Sequence, residues 1–346
     1  MPDLPKIDII IPAYKAQNTI LRTLSSIAEQ EILDDLEVTI VNDADGIGYK
    51  EFVDMFSPYM KIKEITMEKN GGPGEARQYG LENTINPFIT FIDADDTFSG
   101  RFALKTLRLN MLSDPRITCV FGCFLEDQQF TYIQHSGNDP WMFGKLYKRD
   151  FINKYKIHFP PESSFSNEDG FFNTLCKLYQ NENEQIKYIN DIIVYWNFKE
   201  DSITRKDNAN YSYNSSFVGY CDGQIRALQE AEKQVPFNGE VMKQKVMVFC
   251  NLFEYWCETC ARDSRYEKQN WECCKKYYKE IYREIKDKIS EKSLAECYNE
   301  VMRNCYVSNK LEGVIPKLGF RSFIEKLEKE CVEEENKKNK ETCQKD

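Results

Sequence analysis

Only two histidines, His135 and His158, occur in 346 residues. A metal centre assembled from several imidazoles is therefore excluded. No G-x-S-x-G elbow is present, which removes the usual strand-turn-helix setting of a Ser-His-Asp hydrolase. Positive charge is in short supply: 46 Lys and Arg stand against 56 Asp and Glu, a formal net charge of -10. A surface with that balance repels phosphate backbones, so nucleic acid is a minor candidate partner that only a local basic patch would support. Long apolar runs are missing too. The longest, Val246 to Phe253, is broken by Asn251, far short of the roughly 18 apolar residues of a membrane-crossing helix. The amino terminus carries Asp3 and Pro5 and lacks the basic stretch and extended apolar segment of a secretory signal. A soluble, cytoplasmic chain is the expectation.

Cysteine is plentiful but unpatterned. Thirteen residues, an odd number, spread from Cys119 to Cys343, without the dense regular spacing of a disulfide scaffold, which suits reduced thiols used as small core hydrophobes. Cys257-x-x-Cys260 and Cys273-Cys274 resemble zinc spacing, but both fall in helical periodicity without tight ligand loops, so packing is the preferred reading. With 41% apolar and 13% aromatic residues, the chain can bury one large domain and a second, smaller one.

The first half alternates strand-like and helix-like segments, which yields an α/β fold with a mainly parallel sheet flanked by helices. Strand signals lie at Ile7–Ile11, Leu36–Val41, Ile62–Met67, Phe88–Ile92, Thr118–Phe124 and Ile186–Trp196, with a weaker edge strand at Gln129–Ser136. Helical spacing marks Asn18–Glu29, Tyr49–Phe56, Glu75–Asn83, Phe102–Leu112, Trp141–Asn153 and Asp169–Leu178. Beyond about Asn208 the strand-like runs cease. Met242, Val246, Phe249, Phe253, Trp256 and Cys260 recur at steps of three or four, as an amphipathic helix requires. The expected division is residues 1–205 as the α/β domain, 206–332 as an all-helical domain and 333–346 as a frayed polar tail.

In an open α/β sheet the ligand lies beyond the carboxyl ends of the strands. Four places there hold chemistry: Pro12-Ala13-Tyr14, Asp43, the loop Asn70-Gly71-Gly72-Pro73-Gly74 with Arg77, and Asp93-Ala94-Asp95-Asp96. Three carboxylates within four residues repel one another unless a cation compensates, and magnesium or manganese shared with substrate phosphates is the natural solution. The plainer reading is a helix start capped by Asp95 or Asp96. The glycine loop is not a dinucleotide fingerprint, because Arg77 stands where the last glycine belongs and the loop follows the third strand, not the first. It reads as a turn entering a helix whose amides and Arg77 can meet a phosphate or nucleotide, or simply as a turn with a surface arginine.

Taken together, Ile9-Ile10-Ile11-Pro12-Ala13-Tyr14, Val41-Asn42-Asp43, Asn70 to Arg77, Phe91-Ile92-Asp93-Ala94-Asp95-Asp96 and Asn167-Glu168-Asp169 resemble, in order and spacing, the family 2 glycosyltransferases of the GT-A fold, over about residues 6 to 205. The resemblance implies inverting transfer of a sugar from a nucleoside diphosphate sugar, usually a uridine nucleotide. By position it implies Pro12, Ala13, Tyr14 and Asp43 around the base and Arg77 against the nucleotide. Asp93 and Asp95 would serve ribose and metal, Asp95 as the direct ligand. Asp169 would be the catalytic base with Glu168 supporting it, although a helix-starting acid pair is the plainer alternative. Tyr195 to Phe198 and Ser202 to Arg205 resemble the family's segment over the diphosphate, with Lys199 and Arg205 as phosphate contacts. Two departures stand out: Asn42-Asp43-Ala44-Asp45 replaces the common pair of adjacent acids followed by Gly and Ser, and Arg77-Gln78 replaces an Arg-Asn pair.

Such a reaction needs a base for the acceptor hydroxyl and a cation for the departing diphosphate, and the residue types agree. The expected acceptor is a hydroxyl on a glycan or other polymer, with a modified nucleic-acid base or a protein as alternatives. An inactive sugar-nucleotide-binding module would be expected to lose Asp95 or Asp169, and both are present. A nucleotidyltransferase would need a basic Gly-rich loop after the first strand, where this chain has Ala13-Tyr14-Lys15-Ala16-Gln17. The helical domain is expected to shape the acceptor site or mediate homo-oligomerisation. His158 is assigned to packing or surface.

Overall fold

Ile7, Ile9, Ile10 and Ile11 have no solvent exposure, because β-branched side chains stiff at χ1 suit a strand covered on both faces. They form β1 (Ile7–Ala13) of a computed structural model that describes residues 4–137, 140–161, 167–199, 213–235, 239–262, 264–307 and 316–343. After β1 come α1 (Ile20–Ala28), β2 (Leu36–Asn42), α2 (Lys50–Phe56), β3 (Lys61–Thr66), α3 (Gly72–Glu82) and β4 (Phe88–Phe91). The chain continues through β5 (Thr97–Phe98), α4 (Ala103–Leu112), β6 (Ile117–Asp127), β7 (Tyr132–His135), β8 (Lys145–Lys148), α5 (Arg149–Tyr155), α6 (Glu168–Leu178) and β9 (Gln185–Trp196).

The sheet order is β3-β2-β1-β4-β8-β6-β9-β5, with β7 added to β6. β1 pairs in parallel with both β2 and β4, aligning Ala13 with Asn42 and Ile10 with Phe91. The chain turns back between β1 and β4, so their carboxyl ends open the crevice in which an α/β sheet holds its ligand. Asp43 and Asp93 follow β2 and β4 at that same edge.

The far half departs from a mainly parallel sheet. β6 pairs β9 in parallel, but β4–β8, β6–β8, β6–β7 and β5–β9 are antiparallel. The expected helix over Trp141–Asn153 is instead the strand β8 followed by the short helix α5. Lys145 and Lys148 disguised that strand. Lys145 is fully buried, with its ammonium donating to the Trp141 carbonyl and lying 5.0 Å from the Phe121 ring. Lys148 Nζ reaches the Pro115 carbonyl at 2.8 Å. Arg149 then fastens α5 to the first strands through Asp8 (2.8 Å), the Leu81 carbonyl (2.9 Å) and the Asn86 carbonyl (2.7 Å).

The chain separates into two compact units, Met1–Glu200 and Asp201–Asp346. The second contains α7 (Tyr213–Ala231), α8 (Gly239–Arg262), α9 (Glu267–Glu280), α10 (Glu291–Val307) and α11 (Phe320–Cys343). Phe249, Phe253 and Trp256 of α8 bury against Phe323 of α11 at ring separations of 4.9 to 5.9 Å. Composition assigns 333–346 to a frayed tail, whereas α11 continues to Cys343. Its acids are paired: Glu334 with Lys275 and Lys279, Glu335 with Arg283, and Glu330 with the Trp271 indole. Cys257, Cys260 and Cys274 are buried in this unit, and the Cys221 thiol donates to the Cys273 carbonyl at 3.2 Å. Among the described residues no helix is long and apolar enough to cross a membrane.

α3 lies directly on β1 and β2 through Gly80, where an added Cβ would stand 2.4 Å from Ile10 Cγ2 and 3.0 Å from Val41 Cγ2. Both neighbours are fully buried and have no room to move. Gly80→Ala should therefore lower stability by roughly 1–3 kcal/mol despite alanine's better helix propensity. Urea unfolding monitored by circular dichroism checks this, and an unchanged or higher midpoint would contradict the close packing.

Candidate active site

The site begins where β2 runs out. Asp43 is 3% exposed, and its carboxylate accepts the Gly71 amide at 2.7 Å and the Gly72 amide at 2.8 Å. Its own amide donates to the Ala13 carbonyl at 2.9 Å, and its carbonyl accepts Asn70 Nδ2 at 3.2 Å. Burial raises the Asp43 carboxyl above its ordinary range, while the two glycine amides pull it back. Gly72 sits at φ +81°, a left-handed conformation that glycine adopts without a side-chain penalty. Expected to lie against a base, Asp43 thus clamps the glycine loop beside the crevice. Ala13 is buried, Pro12 half-buried and Tyr14 48% exposed, so of these three Tyr14 offers the open ring face.

Asp45, to which sequence reading gave no role, organises the same edge. Its carboxylate accepts the amides of Lys15 (3.2 Å), Ile47 (2.9 Å) and Gly48 (3.0 Å) and Gln17 Nε2 (2.7 Å). These donors hold its carboxyl well below the usual range against the opposing effect of burial. Asn42 completes the turn by accepting the Asp45 amide at 2.9 Å and donating to Glu64 at 2.9 Å. The departure at Asn42-Asp43-Ala44-Asp45 is therefore a different way of building the turn.

Arg77 is 3% exposed and joins three carboxylates. One terminal nitrogen reaches Glu168 at 3.0 Å and Asp169 at 2.6 Å, and the other reaches Asp93 at 2.7 Å. Asn167 enters α6 at φ +94°, a region asparagine tolerates better than most residues, and turns both acids toward α3. Gly74 admits them: a Cβ there would lie 3.0 Å from the Glu168 side chain. The second Asp169 oxygen accepts the Met142 amide at 3.2 Å. That amide is placed by Asn173, which donates to the Pro140 carbonyl at 2.7 Å, and by Gly144 at φ +68°. Burial pushes the Asp169 carboxyl up to about 7, assisted by the charges of Glu168 and Asp93 and opposed by Arg77 and the Met142 amide. Gln78, beside Arg77, accepts the Phe159 amide at 3.0 Å.

Asp93 to Asp96 form a tight turn closed by the Asp96 amide on the Asp93 carbonyl at 3.1 Å. It leads into the two-residue strand β5, not a helix, which disposes of the helix-cap reading. Asp96 is 1% exposed. One of its oxygens accepts the Asn197 amide at 2.9 Å, and the other has no hydrogen-bond partner among the described residues. Burial, then Asp93 and Asp95, drives its carboxyl well above the usual range. Asp95 is raised chiefly by burial and by Asp93, and Lys199 at 3.3 Å offsets part of this. Arg22 donates to the Asp95 carbonyl. Lys199 thus reaches the cluster, Arg205 lies outside the described residues, and His158 bonds locally to the Lys156 carbonyl at 3.0 Å.

Five carboxyl groups, Asp93, Asp95, Asp96, Glu168 and Asp169, gather with three cations, Arg77, Lys199 and Arg22. Among the described residues no three acidic, cysteine or histidine side chains are arranged to hold a metal by themselves.

The profile of the family described as Glycosyl transferase family 2 matches residues 8–175, the span that carries every one of these groups except Asn197, Lys199 and Arg205. This segment, just under half of the chain, is that of a family 2 glycosyltransferase. Its fold is that of the GT-A members. The first 349 residues of Staphylococcus aureus TarS, crystallised with UDP-GlcNAc, superpose with a TM-score of 0.67 at 17% identity, covering 89% of this chain and 92% of that one. The Pyrobaculum calidifontis mannosyltransferase PcManGT, in complex with GDP-Man and Mn2+, gives 0.53 at 13% identity over 89% and 86%. In sequence, the chain is 30% identical to S. aureus TarS, a poly(ribitol-phosphate) β-N-acetylglucosaminyltransferase, over 93 residues, 26% of this chain and 16% of the relative. It is 25% identical to Streptococcus pneumoniae glycosyltransferase GlyA over 58% of this chain and 32% of that protein. These curated relatives are thus matched over less than two thirds of their own length.

Arg22, Asp45, Met142 and Asn173 are the contributors that side-chain motifs missed. Gly137 and Gly144 around Trp141 were the available signal for the Met142 loop. Removing the Asp45 acceptor by Asp45→Ala strands two loops, so a loss of roughly 1–2 kcal/mol is expected in urea unfolding. A variant as stable as the parent would show that the turn does not depend on it.

Proposed function

We propose that this chain catalyses inverting transfer of a sugar from a nucleoside diphosphate sugar, UDP-linked, to a hydroxyl of a glycan or other polymer. The observation that carries the reading is Asp169. It is a partly buried carboxyl raised to about 7, fixed by Arg77 and the Met142 amide, and tied through Arg77 to the acidic turn at the crevice between β1 and β4. A base poised near the working pH is what deprotonation of an alcohol by a side chain requires. TarS with UDP-GlcNAc and PcManGT with GDP-Man support a nucleotide-linked donor, and the poly(ribitol-phosphate) in the name of TarS supports a polymeric acceptor.

In this mechanism the acceptor hydroxyl gives its proton to Asp169 while its oxygen attacks the anomeric carbon. The bond from that carbon to the diphosphate oxygen breaks on the opposite face, which inverts the configuration. Tyr14 and its neighbours Pro12 and Ala13 receive the base beside the Asp43 clamp, and Lys199 meets the diphosphate, joined by Arg205. Asp95, with Asp93, would hold manganese or magnesium, which when bound supplies charge stabilisation for the departing diphosphate. The excess of carboxylates over cations supports that assignment.

The test is release of nucleoside diphosphate from a panel of sugar nucleotides, with and without manganese. Asp169→Asn is expected to lower kcat by about 10²–10⁴, and Asp95→Ala to remove the response to manganese. Since only the carboxylate form accepts the proton, kcat/KM should climb with pH up to about 7 and level off above it. Transfer that survives Asp169→Asn, or a profile without that rise, rules out Asp169 as the base. Release from no donor rules out the enzyme reading.

A further inference from the structure

Arg77 does not present itself as a nucleotide contact. Both terminal nitrogens of its guanidinium are engaged, by Asp169 at 2.6 Å, Asp93 at 2.7 Å and Glu168 at 3.0 Å, which uses three of its five N–H donors. The remaining Nε is buried and has no hydrogen-bond partner among the described residues, so it faces protein, not the open crevice. The three acids come from two segments far apart in sequence, the turn after β4 and the first turn of α6. A planar fork with donors at fixed angles can hold such a set in one geometry, which a point-like ammonium does not. Asp169 is consequently gripped at Oδ1 by Arg77, while Oδ2 has only the longer 3.2 Å bond from the Met142 amide.

We propose that Arg77 is a positioning residue for the base: it acts through Asp169, fixing that carboxylate so that Oδ2 is the oxygen offered to the acceptor hydroxyl. This rests on Asp169 being the base. The assignment differs from a nucleotide-binding arginine in what it moves, since an error in the aim of a base lowers the rate of the chemical step and leaves ground-state donor binding in place.

The experiment compares native enzyme, Arg77→Lys, Asp169→Asn and the double variant in the donor-hydrolysis or transfer assay, with UDP binding measured separately by calorimetry. Arg77→Lys should lower kcat tenfold to a hundredfold while donor KM and UDP Kd stay within threefold. In the Asp169→Asn background the same substitution should have almost no further effect on kcat, because its target is gone. A UDP Kd weakened tenfold or more with kcat preserved overturns the proposal in favour of a nucleotide contact, and additive losses in the double variant overturn it as well. If Arg77→Lys does not fold, Arg77→Ala refolded with ethylguanidinium replaces it. Recovery of kcat supports positioning, whereas recovery of donor KM alone, a folded protein with no recovery, or no folding at all overturns it. Retained transfer in Asp169→Asn alone defeats the base reading, while its loss together with an undiminished kcat in Arg77→Lys defeats only the role of Arg77.

Discussion

The buried guanidinium of Arg77 and the three carboxylates around it are the constraint on which the site depends. Moving a charge out of water costs several kcal/mol even after relaxation, and it persists in a fold only when its partners are well placed. Here those partners fasten α3, the turn after β4 and the start of α6 to a single point. Other features follow from it. Gly74 is small because Glu168 must pass beside it, and Asn167 takes a left-handed backbone so that two consecutive acids both face α3. The Met142 amide then makes the longer contact to the second oxygen of Asp169.

Charge along the crevice is graded, not uniform. At the β2 end the acids are spent on backbone amides: Asp43 on Gly71 and Gly72, Asp45 on the loops at Lys15 and Ile47. Those carboxylates shape loops and present little free charge. At the β4 end the acids face one another and side-chain cations, with Asp96 sealed beneath Asn197 and driven toward its neutral form. The exposed negative charge is therefore concentrated on Asp93 and Asp95, about one-third exposed as side chains. The contrast is between carboxylates engaged by backbone amides at one end and carboxylates facing side-chain charges at the other.

Much of this could be read in the chain. The strands β1 to β4 announce themselves because burial on both faces demands unbroken apolar, β-branched runs, and their ends mark where chemistry collects. Asp93 to Asp96 and Arg77 were visible for the same reason, whereas Asp169, which opens a helix, was marked by the family resemblance alone. What stayed hidden belongs to tertiary contact. β8 reads as helix because its lysines find hydrogen-bond acceptors in carbonyls that only the fold brings near. α11 reads as a tail because its acids look solvated until Lys275, Lys279 and Arg283 stand opposite them. The Met142 contact has no side-chain signature at all, since the donor is a backbone amide.

The same logic bears on Arg77, which the sequence reading sets against the nucleotide and which the fold surrounds with acids. From sequence, an arginine in the first turn of a helix after a glycine loop has its most accessible partner in an incoming anion. In the folded chain three anions are already in place, delivered by segments sixteen and more than ninety residues away. Local reasoning assigns a cation to the substrate whenever the protein's own counter-charges are distant in sequence. The decisive quantity is then the number of donors left over: three of the five N–H groups of Arg77 are engaged, and Nε is buried without a partner among the described residues. Lys199, by contrast, has one partner among the described residues, Asp95 at 3.3 Å, and its side chain is about one-third exposed. A flexible ammonium on one long contact can transfer to a phosphate with little loss. Of Arg77 and Lys199, the lysine is the one suited to a substrate anion and the arginine the one suited to the frame.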